Sequence, residues 1–341
     1  MKVLITGGTG YIGSHTIIEM IRTGKFTPIC VDSCERSSPK TLERIEKITG
    51  VKVPFYQQDI CDKKTFFNIF EEHKDIIGII HFAAYKSVPE SVERPLEYYR
   101  NNLQSLENAL DACVQYNIPN LIFSSSCAIY GEVAHLPVNE DVPMSSPFCP
   151  YAHTKQIGEE MIRFFTRIHS QFHAVILRYF NPVGADVSGL NGEFSPDKPN
   201  NLMPIITQVG IGKMEKMTVF GTDYDTRDGS CVRDYVHVSD IADAHVKALE
   251  FLIEKRNNSN YELFNLGSGN GVSVLEMIRA FEDITGIKLN YTLGKRRAGD
   301  VAAVYSDSNR AHKILGWQCT YHLKDMVETA WKWEQNLKSE A

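Results

Sequence analysis

The chain has 341 residues, of which 43% are hydrophobic, 23% charged and 10% aromatic, and its formal net charge is -6. This length and composition are typical of a globular protein of about two domains, and they argue against a disordered, collagen-like or coiled-coil chain. A mildly acidic chain without a long basic run is also a poor candidate for nonspecific binding of nucleic acid.

The sequence gives no sign of a membrane or secretory segment. No apolar run approaches about 18 residues, and Met1–Thr6 leads directly into glycines, so we predict a cytoplasmic protein. The eight cysteines are scattered without a Cys-x-x-Cys pair, which favours reduced thiols. His169 and His173 have one-turn spacing but no evident third ligand, so we predict no metal site.

The first half of the chain alternates between β-rich runs and helical patterns. The predicted strands are Lys2–Thr6, Pro28–Asp32, Val53–Gln57, Ile76–Ala84, Leu121–Ser125 and Ala174–Phe180. The predicted helices are Tyr11–Thr23, Asp62–His73, Leu96–Gln115 and Pro150–Ile168. Six strands separated by helices predict the α/β class, with a doubly wound parallel Rossmann sheet.

The pattern becomes irregular after Asn181, and residues 186–201 are predicted to form a loop. The later predicted elements are helices Leu202–Gly212, Val238–Glu254 and Val274–Thr285, with strands at Thr218–Phe220 and Leu263–Leu266. We predict a Rossmann domain over residues 1–180, to which 238–266 returns. A smaller mixed α/β substrate-binding domain follows over residues 181–341.

A glycine-rich turn separates the first predicted strand from the first predicted helix. Gly7, Gly10 and Gly13 follow a Gly-x-x-Gly-x-x-Gly pattern, which lets the backbone approach a pyrophosphate at the helix N-terminus. Asp32 ends the next strand, where its carboxylate can bind the adenosine ribose and repel a 2′-phosphate. A plain tight turn is the alternative, but this context predicts dinucleotide binding. NAD is favoured over NADP, although Arg36 is a cation that could tolerate the extra phosphate.

Tyr151 and Lys155 lie four residues apart on a predicted helix and therefore share a face. A nearby ammonium and a cationic nicotinamide ring favour phenolate, so Tyr151 could act as general base toward a substrate hydroxyl. The Tyr-x-x-x-Lys pattern also arises by chance, and it recurs at Tyr291 and Lys295. Ser126 supports the first pair, because it follows the fifth strand at the sheet edge where ligands bind. The alternative for Ser126 is a polar junction between strand and loop.

Together these motifs resemble the extended short-chain dehydrogenase/reductase family, and within it the nucleotide-sugar 4-epimerases. The blocks that carry the closer resemblance, in order over nearly the whole chain, are residues 81–88 (HFAAYKSV), 123–126 (FSSS), 178–185 (RYFNPVGA), 200–204 (NNLMP), 232–235 (VRDY) and 296–300 (RRAGD). The resemblance implies a homodimeric isomerase of galactose metabolism that retains NAD. Its implied reaction interconverts UDP-glucose and UDP-galactose through a transient 4-keto sugar and reversible hydride transfer.

The resemblance also implies roles for single residues. Tyr151 would take the proton of the sugar 4-hydroxyl, Ser126 would bind the 4-oxygen, and Lys155 would hold the nicotinamide ribose and tune Tyr151. The cofactor site would comprise Tyr151, Lys155, Gly7, Gly10, Tyr11, Ile12, Gly13, Asp32, Asp59, Ile60, Phe82, Ala83, Lys86, Asn101 and Phe180. The UDP-sugar site would comprise Ser126, Tyr151, Lys86, Tyr179, Asn181, Asn201, Leu202, Phe220, Arg233, Arg297, Asp300 and Val304.

Departures from the family pattern carry information about substrate and reaction. Relatives that favour unacetylated sugars often carry a tyrosine where this chain has Val304, so we predict that UDP-GlcNAc and UDP-GalNAc are also interconverted. A 4,6-dehydratase would need an Asp-Glu pair where this chain has Cys127 and Ala128, which cannot perform acid–base work at neutral pH. A non-catalytic dinucleotide sensor is the other alternative, and it would keep its output in a Tyr151→Phe variant.

Overall fold

The computed structural model of the chain describes residues 1–194, 199–297 and 300–339. Its strands are β1 Lys2–Thr6, β2 Thr27–Asp32, β3 Phe55–Gln57, β4 Ile76–His81, β5 Asn120–Ser126, β6 His173–Tyr179, β7 Asn181–Val183, β8 Met217–Phe220, β9 Val232–His237, β10 Tyr261–Leu266, β11 Gly271–Ser273, β12 Tyr291–Gly294 and β13 Ala303–Val304. Its helices are α1 Tyr11–Thr23, α2 Lys40–Thr49, α3 Lys63–Glu72, α4 Val88–Glu93, α5 Pro95–Gln115, α6 Pro150–Ile168, α7 Leu202–Gly210, α8 Val238–Ile253, α9 Val274–Thr285, α10 Asn309–Leu315 and α11 Leu323–Ser339, with a short 3₁₀ helix at Cys127–Tyr130.

The main layer is a seven-stranded parallel sheet in the order β10-β6-β5-β4-β1-β2-β3. The order reverses at β1, which lies between β4 and β2, so the sheet is wound in both directions. This confirms the predicted α/β class with a doubly wound Rossmann sheet. The seventh strand, β10, pairs with β6 at one edge.

Both faces of this sheet are covered by helices, which explains why its strands read as nearly continuous apolar runs. On one face, Ile17 of α1 and Phe251 of α8 belong to the same buried cluster. On the other face, Phe66 of α3, Leu106 of α5 and Ile162 of α6 form a second cluster. Because the strands are parallel, the segments that follow their carboxyl ends lie at a common edge of the sheet.

The second half of the chain builds smaller sheets beside this edge. One sheet has the order β11-β9-β13, with β7 paired to β9, and the other pairs β12 with β8. A third apolar cluster includes Ile206 of α7, Phe281 of α9 and Val327 of α11. Among the residues described, no helix is long and apolar enough to cross a lipid bilayer.

Candidate active site

The glycine turn between β1 and α1 requires its small residues. Gly7 has a φ of +69°, and a Cβ atom there would lie 2.8 Å from the backbone nitrogen of Ala83. A Cβ atom at Gly13 would lie 2.4 Å from the carbonyl oxygen of Gly7. Gly10 caps α1 without a side-chain hydrogen bond, and the first helical bond runs from Ser14 N–H to Gly10 O. The first-turn N–H groups therefore lie beside a closely approachable backbone, which fits a pyrophosphate.

Asp32 ends β2 next to this turn, and its carboxylate is held in place. One oxygen accepts from the Thr9 N–H at 3.1 Å, and the other accepts from the Cys34 N–H at 2.9 Å and the Ser37 hydroxyl at 3.1 Å. These bonds fix the carboxylate at the position where a ribose diol would meet it. The observed glycine cradle and this acid together fit a dinucleotide without a 2′-phosphate.

Most of the other predicted cofactor residues lie along the same edge. They are Tyr11 and Ile12 at the start of α1, Asp59 and Ile60 after β3, Phe82, Ala83 and Lys86 after β4, and Asn101 on α5. Phe180 also lies at this edge, directly after β6, but its ring is buried in an apolar cluster with Tyr130 and Val304.

Four hydroxyl groups and one ammonium meet at the ends of β5 and β6 and the start of α6. We call this set the buried corner: Ser124, Ser126, Tyr151, Lys155 and Tyr179. Tyr151 is 9% exposed, Tyr179 8% and Lys155 5%. The Ser124 and Tyr179 hydroxyls are in contact, and Lys155 Nζ donates to the Ser124 carbonyl oxygen at 2.7 Å. The tyrosine and lysine predicted from their spacing thus face the serine-rich end of β5.

The ionisation of the buried corner is governed by burial. Burial raises the pKa of Tyr151 to about 12, and the neighbouring Ser126 hydroxyl offsets only part of that rise. Burial lowers the pKa of Lys155 to about 8, against the opposing effect of Glu159. The tuning of Tyr151 by Lys155 that the resemblance implies stays a prediction. The ammonium donates one hydrogen bond to the Ser124 carbonyl, and burial in the chain alone favours a neutral phenol.

A second group of predicted site residues lies on and beside the smaller sheets. We call it the arginine rim: Phe220, Arg233, Arg297 and Asp300. Arg297 donates to both Asp300 oxygens, at 3.2 and 2.9 Å, and its guanidinium carbon lies 5.8 Å from the centre of the Phe220 ring. Arg233 approaches Asp300 at 3.5 Å from β9. Ala298 and Gly299, which belong to the same predicted block, lie outside the described residues.

The arginine rim and the buried corner are neighbours. Cys127 follows Ser126, and its thiol feels the positive charge of Arg233, although burial raises its pKa to about 12. Val304 on β13 pairs in register with Arg233 on β9. Asn181 begins β7 at the end of β6, and its side-chain oxygen is buried without a partner among the described residues. The thiol at the position of a dehydratase acid is thus neutral at physiological pH.

Sequence reasoning missed Glu193, which joins two predicted site residues. Its carboxylate accepts from Lys86 Nζ at 2.9 Å and from Asn201 Nδ2 at 2.6 Å, while its backbone carbonyl accepts from the Trp333 indole at 3.0 Å. Asn201 caps α7, whose first residue is Leu202. No local pattern marks Glu193, because its partners are distant in sequence.

Glu159 was also missed, although a sequence signal for it exists. It lies four residues after Lys155 on the same helix, which places both on one face of α6. Its carboxylate accepts from the Arg178 guanidinium at 2.9 and 2.6 Å and from the Ser125 hydroxyl at 2.5 Å. This fully buried ion pair fixes β5, β6 and α6 beneath the buried corner.

Comparisons with known proteins agree with this geometry. The family model described as NAD dependent epimerase/dehydratase family matches residues 3–267. The UDP-glucose 4-epimerase of Haemophilus influenzae is 44% identical over 336 residues, covering 98% of each chain. A UDP-glucose 4-epimerase structure from Stenotrophomonas maltophila, with bound NAD and formylated UDP-arabinopyranose, is 41% identical with a TM-score of 0.96 and full coverage of both chains. The Bifidobacterium longum enzyme in complex with NAD+ and UDP is 40% identical with a TM-score of 0.94, also with full coverage of both chains.

Proposed function

The chain belongs to the NAD dependent epimerase/dehydratase family, and from this premise we propose that it interconverts UDP-glucose and UDP-galactose with NAD as its cofactor. The observation that carries the proposal is the buried corner, where Tyr151 faces Ser126 at the sheet edge shared with the glycine turn. The neutral thiol of Cys127 argues against the dehydratase alternative, which needs a carboxylic acid there.

The chain's own residues divide the work at the sugar. When bound, NAD supplies the acceptor and later donor of the C4 hydrogen, and its oxidised ring adds positive charge. Tyr151 removes the proton of the 4-hydroxyl and returns it after the 4-keto sugar has turned its opposite face, while Ser126 binds the 4-oxygen. Lys155, anchored on the Ser124 carbonyl, holds its ammonium within the dry corner.

The raised pKa of Tyr151 suits one half of this cycle and opposes the other. With a pKa of about 12, Tyr151 is a phenol at neutral pH, which is the protonated form that the second half of the cycle needs. The first half requires phenolate, and positive charge must favour that form. Lys155 keeps such a charge below its pKa of about 8.

We propose that the arginine rim binds the nucleotide part of the substrate. Guanidinium groups match a diphosphate in charge and in fork geometry, and the exposed Phe220 ring offers an apolar surface to a base. Glu193 orients Lys86 and Asn201 between the two sites. A substrate anchored through its diphosphate leaves the hexose free to turn in the buried corner.

The same proposal assigns domains, assembly and compartment. Residues 1–180, with the return of 238–266, hold NAD, and residues 181–341 hold the UDP-sugar.

The neighbouring helices α5 and α6 expose Leu96, Phe164 and Ile168, which supports a homodimer through these helices. Eight free thiols support a reducing, cytoplasmic compartment.

A second substrate class is proposed from Val304. Its short side chain is 7% exposed and is paired beside Arg233, next to the buried corner. Valine is smaller than the tyrosine that relatives favouring unacetylated sugars often carry here, which supports room for an N-acetyl group at C2 of the sugar. We therefore propose that UDP-GlcNAc and UDP-GalNAc are also interconverted.

The test is to incubate the purified protein with UDP-galactose, and separately with UDP-GalNAc, without added cofactor. Chromatography is expected to show UDP-glucose and UDP-GlcNAc as the respective products. No product from UDP-galactose would overturn the proposed function. Conversion of UDP-galactose alone would overturn only the second substrate class.

A further inference from the structure

Two surface segments next to the glycine turn are bonded to each other. The Tyr85 hydroxyl donates to Glu35 at 2.6 Å, and the Arg36 guanidinium pairs with Glu90 at 2.8 Å. The Arg36 guanidinium carbon also lies 4.6 Å from the centre of the Tyr85 ring. We call these four residues the strap: Glu35 and Arg36 from the loop after β2, and Tyr85 and Glu90 from the segment after β4.

The strand order fixes where the strap runs. Because β1 lies between β4 and β2, a bridge between the loops after β4 and β2 must pass across the end of β1. The glycine turn begins at that end with Gly7. The strap is anchored at both sides, since Asp32 holds Cys34 and Ser37 in the loop after β2, and Asn102 accepts from the Tyr85 N–H at 2.8 Å.

The strap also binds a cation that could otherwise accept a 2′-phosphate. Arg36 follows Asp32 by four residues, in the loop where NADP-binding proteins place such an arginine. Here its guanidinium is paired with Glu90, whose side chain is 22% exposed, and stacked on Tyr85. The pair keeps the pKa of Glu90 below its usual range, so the carboxylate is ionised at neutral pH. The Asp32 carboxylate therefore has no free arginine from this loop beside it.

We propose that the strap retains NAD and excludes NADP. It crosses the pyrophosphate cradle, so the dinucleotide leaves only after the strap opens. It also holds Arg36 on Glu90 and Tyr85, where the guanidinium is unavailable to a 2′-phosphate. The proposal rests on the proposed function only in taking the glycine turn as the site of NAD.

The test measures exchange of bound NAD for labelled NAD in excess, using the purified holoenzyme. Arg36→Ala and Tyr85→Leu are each expected to exchange roughly ten-fold faster than the unmodified protein. Arg36→Ala removes an exposed ion pair and a cation–π contact, and Tyr85→Leu removes the same cation–π contact and the hydrogen bond to Glu35. Lys63→Gln is the matched control, because it breaks an exposed ion pair with Asp111 outside the strap. Melting temperatures of all variants are measured to confirm folding.

Exchange against NADP separates retention from selectivity. Glu90→Gln breaks the ion pair but leaves the Arg36 cation in the loop. This variant is therefore expected to take up NADP several-fold more than Arg36→Ala, which opens the strap and also removes the cation. Equal exchange rates in the unmodified protein, Arg36→Ala and Tyr85→Leu would overturn the retention claim. Equal NADP uptake by Glu90→Gln and Arg36→Ala would overturn the selectivity claim.

Turnover of UDP-galactose in the same samples keeps this proposal separate from the proposed function. An unmodified protein without turnover contradicts the proposed function, whatever the exchange rates are. An unmodified protein with turnover, and variants with unchanged exchange, contradicts the strap alone.

Discussion

The buried corner and the arginine rim are neighbouring groups of residues that differ in their exposure to water. In the corner, Tyr151 and Lys155 are less than one-tenth exposed. Burial raises the pKa of Tyr151 and lowers that of Lys155, so it favours the neutral form of each. On the rim, the Arg297 side chain is 51% exposed and its charge remains in contact with water. Burial therefore disfavours charge on Tyr151 and Lys155, whereas the Arg297 guanidinium is largely exposed.

This difference matches what each region has to do. Proton transfer at the sugar requires that the protonated and ionised forms of the phenol be close in free energy. In a buried site, nearby charges shift the balance between these forms strongly. A nucleotide that must bind and leave is better held by hydrated, screened charges. The variants below test this contrast, beginning with the largest expected effect.

Tyr151→Phe removes the hydroxyl that we propose transfers the proton in the buried corner. We expect kcat for UDP-galactose to fall by roughly 10²–10⁴-fold, the usual contribution of a general acid–base group, with the NAD content unchanged. The matched control is Tyr291→Phe, which alters the second Tyr-x-x-x-Lys match on the exposed strand β12. If both variants kept the activity of the unmodified protein, the corner would not be the reacting site.

Glu159→Ala leaves the Arg178 guanidinium buried without its carboxylate. We expect the free energy of unfolding in urea to fall by about 3–5 kcal/mol, because an unpaired buried charge is strongly destabilising. Arg297→Ala removes the exposed partner of a rim ion pair and should cost roughly 0–1 kcal/mol. Similar losses in the two variants would contradict the difference between the buried ion pair beneath the corner and the exposed ion pair on the rim.

Arg297→Ala should instead weaken substrate binding. Loss of a charge-assisted contact with the diphosphate is expected to raise KM for UDP-galactose roughly ten-fold, with kcat within about two-fold. Arg297→Lys keeps the charge without the fork and should lie between the two. A fall in kcat at unchanged KM would place Arg297 in the chemical step rather than in nucleotide binding.

The pH dependence of activity is the smallest expected effect. Since burial lowers the pKa of Lys155 to about 8, the ammonium is present below that pH and is lost above it. Activity is therefore expected to fall by about half as the pH rises to 8 and to continue falling above it. A flat profile between pH 7 and about 9.5, near the usual lysine range, would show that the reaction does not need this charge.

The Rossmann half of the fold follows closely from the sequence. Helices Tyr11–Thr23 and Pro150–Ile168 are predicted with the bounds that the structure has, because caps, Gly24 and apolar spacing are local signals. The predicted strand Ile76–Ala84 ends at His81 instead, since the residues after it turn toward the glycine loop. Helix α2 was missed although its apolar spacing was available.

The second half was harder to predict because its signals are not local. Strand β9 contains the fully buried Asp234, which looks unsuited to a core strand. Its carboxylate accepts from Ser268 and Ser306, which are distant in the chain. Only the folded structure shows that this charge is satisfied.

In the candidate site, too, local signals could be read from the sequence and long-range contacts could not. The spacing of Tyr151 and Lys155 correctly places both in the buried corner, because one helix carries them. The direction of the phenol's pKa could not be foreseen, since it depends on burial of the ring by surrounding elements that are distant in sequence. Glu193 was invisible for the same reason.

The most direct measurement uses UDP-galactose carrying deuterium at C4, incubated in ordinary water with the purified protein and no added NAD. The account predicts that the UDP-glucose formed keeps its deuterium at C4, because the hydrogen leaves and returns as a hydride, which stays bound to carbon and does not exchange with water. Product with protium at C4 would show that the hydrogen exchanges with water, and would contradict proton transfer by Tyr151 coupled to reversible hydride transfer.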